Sequence, residues 1–213
     1  MKKLISQLFF LRLGDKLIIS NKLRMYLAVL VMFLLPSRGF AGEPTAQLSS
    51  TIDEFVGILV STPVAELRST GLPDRALKLI NGRFDFSEMT RRSLGWHWQA
   101  LNVNEQRQFI DAYTQMLLRF FGRSVRSAGD ESIQYKREVR DGIHASVETK
   151  VVSASGTNFP IDYRLHDING QWKVYDVVID NISVVNNYRA QFERIIAKSS
   201  VQDLLQKMKQ MES

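Results

Sequence analysis

The stretch Trp172-Lys173-Val174-Tyr175-Asp176-Val177-Val178-Ile179, followed by Asp180-Asn181 and then Ile182-Ser183-Val184-Val185-Asn186-Asn187-Tyr188-Arg189-Ala190-Gln191-Phe192, decides the fold. Its first eight residues are rich in Val, Trp and Tyr, the types that suit a pleated surface. Strict alternation puts Val174 and Val178 on one face and Tyr175, Val177 and Ile179 on the other. A strand apolar on both faces is covered on both. Asp180-Asn181 breaks the run, and a new helix opens after Ser183 with Asn-Tyr-Arg just inside its start.

Upstream of this strand the hydrophobic period is two. Ala145, Val147, Thr149 and Val151 alternate with His144, Ser146, Glu148 and Lys150; Phe159, Ile161, Tyr163 and Leu165 alternate with Asp162, Arg164 and His166. Asp141-Gly142, Ser155-Gly156 and Asn169-Gly170 supply turns at regular intervals, so the region from Ser132 reads as an antiparallel meander of about four strands. Before it the period is helical. Leu48, Ile52, Phe55, Val56 and Leu59 form one stripe. After a connector marked by Pro63 and Gly71-Leu72-Pro73 comes a short helix through Ala76, Leu77 and Ile80. Asp85 with Glu88, and Asn102 with Glu105, are capping-box pairs. The first opens a helix that Gly95 ends; the second opens the longest helix, with Phe109, Ile110, Tyr113, Met116, Leu117, Phe120 and Phe121 on one side, ending at Gly129-Asp130. Two more helices close the chain, through Tyr188, Phe192, Ile195 and Ile196, then Leu204, Leu205 and Met208. The fold class is α+β: a curved antiparallel sheet packed against helices.

The first 41 residues form a separate unit. Lys2, Lys3, Arg12, Lys16, Lys22 and Arg24 precede the apolar run Tyr26–Leu35, and Gly39-Phe40-Ala41 places small residues where a signal peptidase reads. Ten apolar residues fall short of the roughly 20 that span a bilayer. Residues 1–41 therefore read as a secretory signal peptide, with Met1 or Met25 as the start, and residues 42–213 as one exported domain. The full chain carries 28 basic and 22 acidic residues, but seven of the basic and one of the acidic lie in the leader, which leaves 21 of each and no net charge beyond it. Nucleic-acid binding needs a basic face and loses its support. No cysteine is present, so an ordinary core holds the domain.

Catalytic signatures are missing from the sequence: no G-x-S-x-G elbow, no glycine-rich phosphate loop, no H-E-x-x-H. His97, His144 and His166 are scattered, with solvated surface as their default, and no metal or cofactor is expected. Asp162 and Asp176 could pair as acid and base, as in some cone-shaped α+β enzymes. Asp176 interrupts an apolar face, however, and a buried carboxylate must be hydrogen-bonded; a bond to a nearby Arg or backbone amide is favoured over catalysis.

The strand–turn–helix block quoted first resembles the MlaC family of periplasmic phospholipid carriers, also called the toluene-tolerance auxiliary component of a lipid-asymmetry ABC transport system. Phe84-Asp85-Phe86-Ser87-Glu88-Met89-Thr90-Arg91-Arg92-Ser93-Leu94-Gly95, and the stretch from Trp98 through Asn104-Glu105-Gln106-Arg107-Gln108-Phe109, fit the same family. The resemblance runs from about Leu48 to Met211. It implies an apolar cavity between sheet and helices, and a carrier, not an enzyme, that holds a phospholipid there by its tails. It also implies partners at both membranes: an outer-membrane lipoprotein complex and an inner-membrane ABC lipid transporter with a lipid-binding ring subunit. Two acyl chains carry about thirty methylenes, each worth roughly 0.8 kcal/mol out of water. Transit without a carrier would thus cost on the order of 20 kcal/mol, and a tail site needs greasy depth more than directed bonds. Candidate wall residues are Val147, Val151, Ile161, Tyr163, Val174 and Val178 on the sheet, with Phe109, Tyr113 and Met116 on the long helix; each could equally be ordinary core. Tyr188 and Arg189 could sit at the mouth and engage a phosphate, which a helix N-terminus favours. A hopanoid carrier of the same family and a small exported enzyme are the alternatives.

Overall fold

The computed structural model describes residues 42–63, 66–67, 72–125, 131–153 and 158–210, and the side chains of 120–125, 131 and 153 are outside that description. The leader, Gly71, Gly129-Asp130, Ser155-Gly156 and the side chains of Phe120 and Phe121 therefore lie outside the described residues. Six α-helices are described: α1 (Glu43–Ser61), α2 (Asp74–Arg83), α3 (Phe86–Leu94), α4 (Val103–Val125), α5 (Val184–Ile196) and α6 (Val201–Gln210). A 3-10 turn, Gly95–Ala100, joins α3 to α4. The strands are β1 (Glu131–Asp141), β2 (His144–Ser153), β3 (Asn158–Ile168), β4 (Gln171–Ile179) and the two-residue β5 (Ile182–Ser183). They pair in chain order as one antiparallel sheet of five strands.

Local chemistry explains the boundaries. Asp85 caps α3 by accepting from Glu88 N at 2.9 Å, but Glu88 turns away to Arg91 and Arg92, so half of the expected capping box forms. Asn102 and Glu105 form theirs in full: Asn102 N donates to Glu105 at 2.9 Å and Glu105 N to Asn102 at 3.0 Å. Gly95 ends α3 at φ +58°, a conformation that costs a side chain strain. The β3–β4 turn has Asn169 and Gly170 both at positive φ, as a two-residue hairpin requires. Asp180 and Asn181 do the same at φ 49° and 63°. Where the sequence suggested a break leading into a helix, the chain makes a tight hairpin into β5 first.

Two apolar clusters form, and α1 belongs to both. Leu48 and Ile52 of its first half pack on the sheet with Val147, Val151, Ile161, Tyr163, Leu165, Trp172, Val174, Val177 and Ile179. Phe55, Ile58 and Leu59 of its second half join a helical cluster drawn from α2 to α6. Half-buried Val56, Phe84 and Val184 pack against both clusters and form the seam between them. Polar bonds lock the arrangement at the rim. Arg83 of α2 donates to Thr51 at 2.9 Å, to Gln47 at 2.9 Å and to the Trp172 carbonyl at 2.5 Å, tying α1, α2 and β4 together.

Candidate functional site

In an antiparallel pair, residues directly opposite share a face. Val147 faces Tyr163, Tyr163 faces Val177, and Ile161 faces Ile179. That row, with Val151, Thr149 and Val174, is the inner face toward α1. The expected wall residues Val147, Val151, Ile161, Tyr163 and Val174 are therefore gathered on one surface, all buried. The greasy row has polar company: Thr149 is turned inward and satisfies itself by donating to the Ile161 carbonyl at 2.6 Å. Tyr135 of β1 packs against this cluster, and its hydroxyl is buried with no hydrogen-bond partner among the described residues. Burial pushes the Tyr135 and Tyr163 phenols well above their usual range, so both remain neutral donors.

Val178 does not join that surface. Between Arg164 and Leu165 the β3–β4 register slips, because Arg164 faces Asp176 while Leu165 faces Val174. Tyr175 is the extra residue, a β-bulge that reverses the alternation of β4 beyond it. Val177 and Ile179 thus join Val174 inside, and Val178 points with Asp176 to the opposite face. The expected grouping of Val174 with Val178 is corrected accordingly. A second slip at Lys136 turns Glu138 and Arg140 of β1 inward. Glu138 accepts from Thr45 N at 2.9 Å and Thr45 Oγ1 at 2.5 Å and so caps α1; Arg140 lies 4.9 Å from the Trp172 ring.

The long-helix residues Phe109, Tyr113 and Met116 lie in the helical cluster, not against the strands. Tyr188 lies there too, edge-on to Tyr113 with ring centroids 5.3 Å apart. The expected place of Tyr188 at a mouth is corrected: it is 3% exposed, locked by aromatic packing. Ser93 Oγ donates to the Tyr113 hydroxyl at 3.0 Å; burial raises the Tyr113 phenol well above its usual range, against the opposing effect of that hydrogen bond.

At the start of α5 the orphan amides find partners within the chain. Asp176 accepts from Val185 N at 3.1 Å, from Ser183 Oγ at 2.7 Å and from Arg164 at 3.0 Å; Ser183 Oγ accepts from Asn186 N at 3.0 Å. The helix N-terminus is thus internally capped, contrary to the expected anion site there. Asp176 is the buried, structurally bonded acid anticipated from the sequence. Arg189, half-exposed, lines a pocket of about 570 Å³ with Arg91, Arg92, Arg164, Gly95 and Trp96 among its walls. Arg164 and Asp176 place this pocket on the sheet face opposite Val147 and Ile161. Another pocket, of about 560 Å³, opens beside the seam residue Phe84, with Phe86, Ile110 and Ile168 in its walls.

His97 and His166 are less solvated than expected, whereas His144 is exposed. His166 lies 3.0 Å from Asp85, and His144 and His166 face each other across β2 and β3 with Tyr175 edge-on to both. His97 is buried beneath the Trp96 ring, and that burial lowers its pKa. Among the described residues no group of three or more His, Cys, Asp or Glu side chains could hold a metal, and no helix is long and apolar enough to cross a membrane.

The order of elements and the packing of α1 across sheet and helices can be set beside known proteins. The sequence profile described as MlaC protein matches residues 49–210, most of the chain. The chain belongs to the MlaC family. Toluene tolerance protein ttg2D of Pseudomonas putida is 29% identical over 89 residues, 41% of this chain and 41% of that protein. The intermembrane phospholipid transport system binding protein MlaC of Haemophilus influenzae is 21% identical over 126 residues, 56% of this chain and 58% of that one. These matches span well under two thirds of either curated relative. A solved structure of a phospholipid-binding protein from Ralstonia solanacearum, in complex with a phospholipid, superposes with a TM-score of 0.70 at 23% identity, covering 79% of this chain and 96% of that chain. The likeness to that structure is one of fold and bears out the α+β class. The profile match bears out the family resemblance read from the sequence.

Proposed function

We propose that this MlaC-family protein is an exported, periplasmic carrier that holds one diacyl phospholipid and passes it between an outer-membrane lipoprotein complex and an inner-membrane ABC lipid transporter. The observation that carries the reading is the division of the interior into two apolar clusters that meet at the half-buried seam of Val56, Phe84 and Val184. Separation of the clusters along that seam would offer acyl chains two greasy walls. Val147, Val151, Ile161, Tyr163 and Val174 make the sheet wall; Phe109, Tyr113 and Met116 back the helical one. The pocket beside Phe84 is the natural mouth. Tails withdrawn there recover the roughly 0.8 kcal/mol per methylene that water denies them. The names of the relatives, and the phospholipid in the Ralstonia protein, support the ligand class.

No hydrolytic step is part of this function. Residues 1–41 would be removed on export, and intact mass of the exported protein should show that Tyr26–Leu35 is absent. Lipid extracted from the purified protein and measured by mass spectrometry should give about one diacyl phospholipid per chain. A hopanoid in its place would redirect the reading to another lipid class, and lysophospholipid with free fatty acid generated in vitro would replace carrier by enzyme.

A further inference from the structure

The pocket between α3, β3, β4 and α5 has a chemistry that acyl tails do not need. Four guanidiniums line it, from Arg91 and Arg92 of α3, Arg164 of β3 and Arg189 of α5, together with the amide side chains of Gln99 and Asn186. Three of the four guanidiniums are held by carboxylates of the chain. Arg91 makes two bonds of 2.6 Å to Glu88, and Arg92 makes one of 2.7 Å to the same carboxylate while its guanidinium lies 4.2 Å from the Tyr175 ring centroid. Arg164 bonds Asp176 at 3.0 Å. Arg189 rests on Gly95, where a Cβ would come within 3.0 Å of its Nε. Glycine at 95 therefore serves two ends: it ends α3 at positive φ and it leaves room for this guanidinium.

The positive charges are only partly answered. Asp176 is the carboxylate in the lining; Glu88 and Glu193 stand behind it. Arg189 reaches Glu193 only at 3.7 Å, beyond hydrogen-bond distance. A guanidinium carries five N–H donors, so most donors of this set face the pocket or solvent. Planar forks converging from three elements suit an oxyanion with several acceptors. The volume of about 570 Å³ exceeds what a bare anion fills, and Trp96, 65% exposed, offers an apolar plate at the rim. The amides of Val185 and Asn186 are already used within the chain, so the site stands on its arginines and not on the helix end.

We propose that this pocket binds a phosphate ester, either the head-group phosphate of a lipid or a free phosphate compound, on the sheet face opposite the tail-lining row. The site does not depend on the carrier reading, and the two fail separately.

The test is calorimetric titration of the exported protein, stripped of lipid, with inorganic phosphate against sodium chloride at equal ionic strength. Saturable one-to-one binding is expected, weakened at least about tenfold in Arg189→Gln and in Arg92→Gln, each of which removes charge-assisted bonds. Arg75→Gln, an exposed arginine outside the pocket, should leave it unchanged. Melting curves report whether each variant folds, and Arg189→Gln decides the matter if Arg92→Gln does not. Monomeric dihexanoyl-phosphatidylglycerol identifies the source: competition with phosphate assigns the site to lipid head groups, and undiminished phosphate binding beside it assigns the site to free phosphate compounds. No saturable phosphate binding by the unaltered protein, or binding unchanged by Arg189→Gln, overturns the proposal whether or not the protein carries lipid.

Discussion

Replacing Asp176 by Ala should be among the most damaging single changes in the domain. The carboxylate is 2% exposed and holds three partners: Arg164 at 3.0 Å, Ser183 Oγ at 2.7 Å and Val185 N at 3.1 Å. The partners fare differently on its loss. Half-exposed Arg164 can turn to water, so its share is small. Val185 N–H is buried at the start of α5 and would be left without an acceptor. Such a group alone costs about 1–3 kcal/mol. The lost bond from Ser183 Oγ adds about 0.5–1.5 kcal/mol, for about 1.5–4.5 kcal/mol in all. For a domain of this size each kcal/mol lowers Tm by about 2–4 °C, so the expected loss is roughly 3–18 °C. Asp176→Asn keeps one acceptor and the shape, and should fall between. Thermal unfolding followed by circular dichroism gives the ranking, and amide exchange at Val185 should quicken most in the Ala variant. A cost below about 1 kcal/mol for Asp176→Ala would refute the claim that this acid anchors α5 to β4.

Other outcomes follow from the same geometry. Val147→Trp places bulk on the fully buried inner row; if tails run there it lowers lipid occupancy with little change in Tm of the stripped protein, whereas a close-packed core would lose about 1–3 kcal/mol and keep its lipid. Val178→Ala should cost about 1–3 kcal/mol of stability in urea unfolding while lipid occupancy stays level, because the side chain faces away from the row. The Arg91 hydrogen bond, aided by Arg92 and opposed by burial, holds Glu88 down to about 2. A depressed folded-state value means that this contribution, on the order of 1 kcal/mol with half-exposed Arg91 screened by solvent, is whole above about pH 4.5 and is lost as pH falls toward 2. Urea unfolding of Glu88→Gln beside the unaltered protein should therefore show a gap at pH 6 that closes near pH 2; a gap that persists there points to packing instead of charge.

Much of this architecture was legible in the sequence because it is governed by neighbours along the chain. Alternation in β2 and β3 placed Val147, Val151, Ile161 and Tyr163 correctly, and Asp85 and Asn102 marked helix starts through bonds to amides three residues on. The partner type of Asp176 could be read because an acid inside an apolar strand has few choices. The face of Val178 could not be read. Three consecutive apolar residues, Val177 to Ile179, carry no phase of their own, and the bulge at Tyr175 that sets it accompanies Arg164 pairing with Asp176 twelve residues away. Of the arginine pocket, Arg189 was legible as a candidate phosphate contact just inside a helix start, but its company was hidden. The walls come from α3, β3 and α5, and adjacent Arg91-Arg92 looks in sequence like an ordinary basic helix end.

Whether tails run along the inner row can be measured residue by residue. A phosphatidylcholine carrying a nitroxide midway along one acyl chain, loaded into protein with labelled methyl groups, broadens the signals of methyls close to the spin. The carrier account expects the strongest broadening at Val147, Val151 and Ile161, with Val178 spared because the bulge turns it to the other face. Equal broadening at Val178, or none at the inner row while the lipid remains bound, would contradict it.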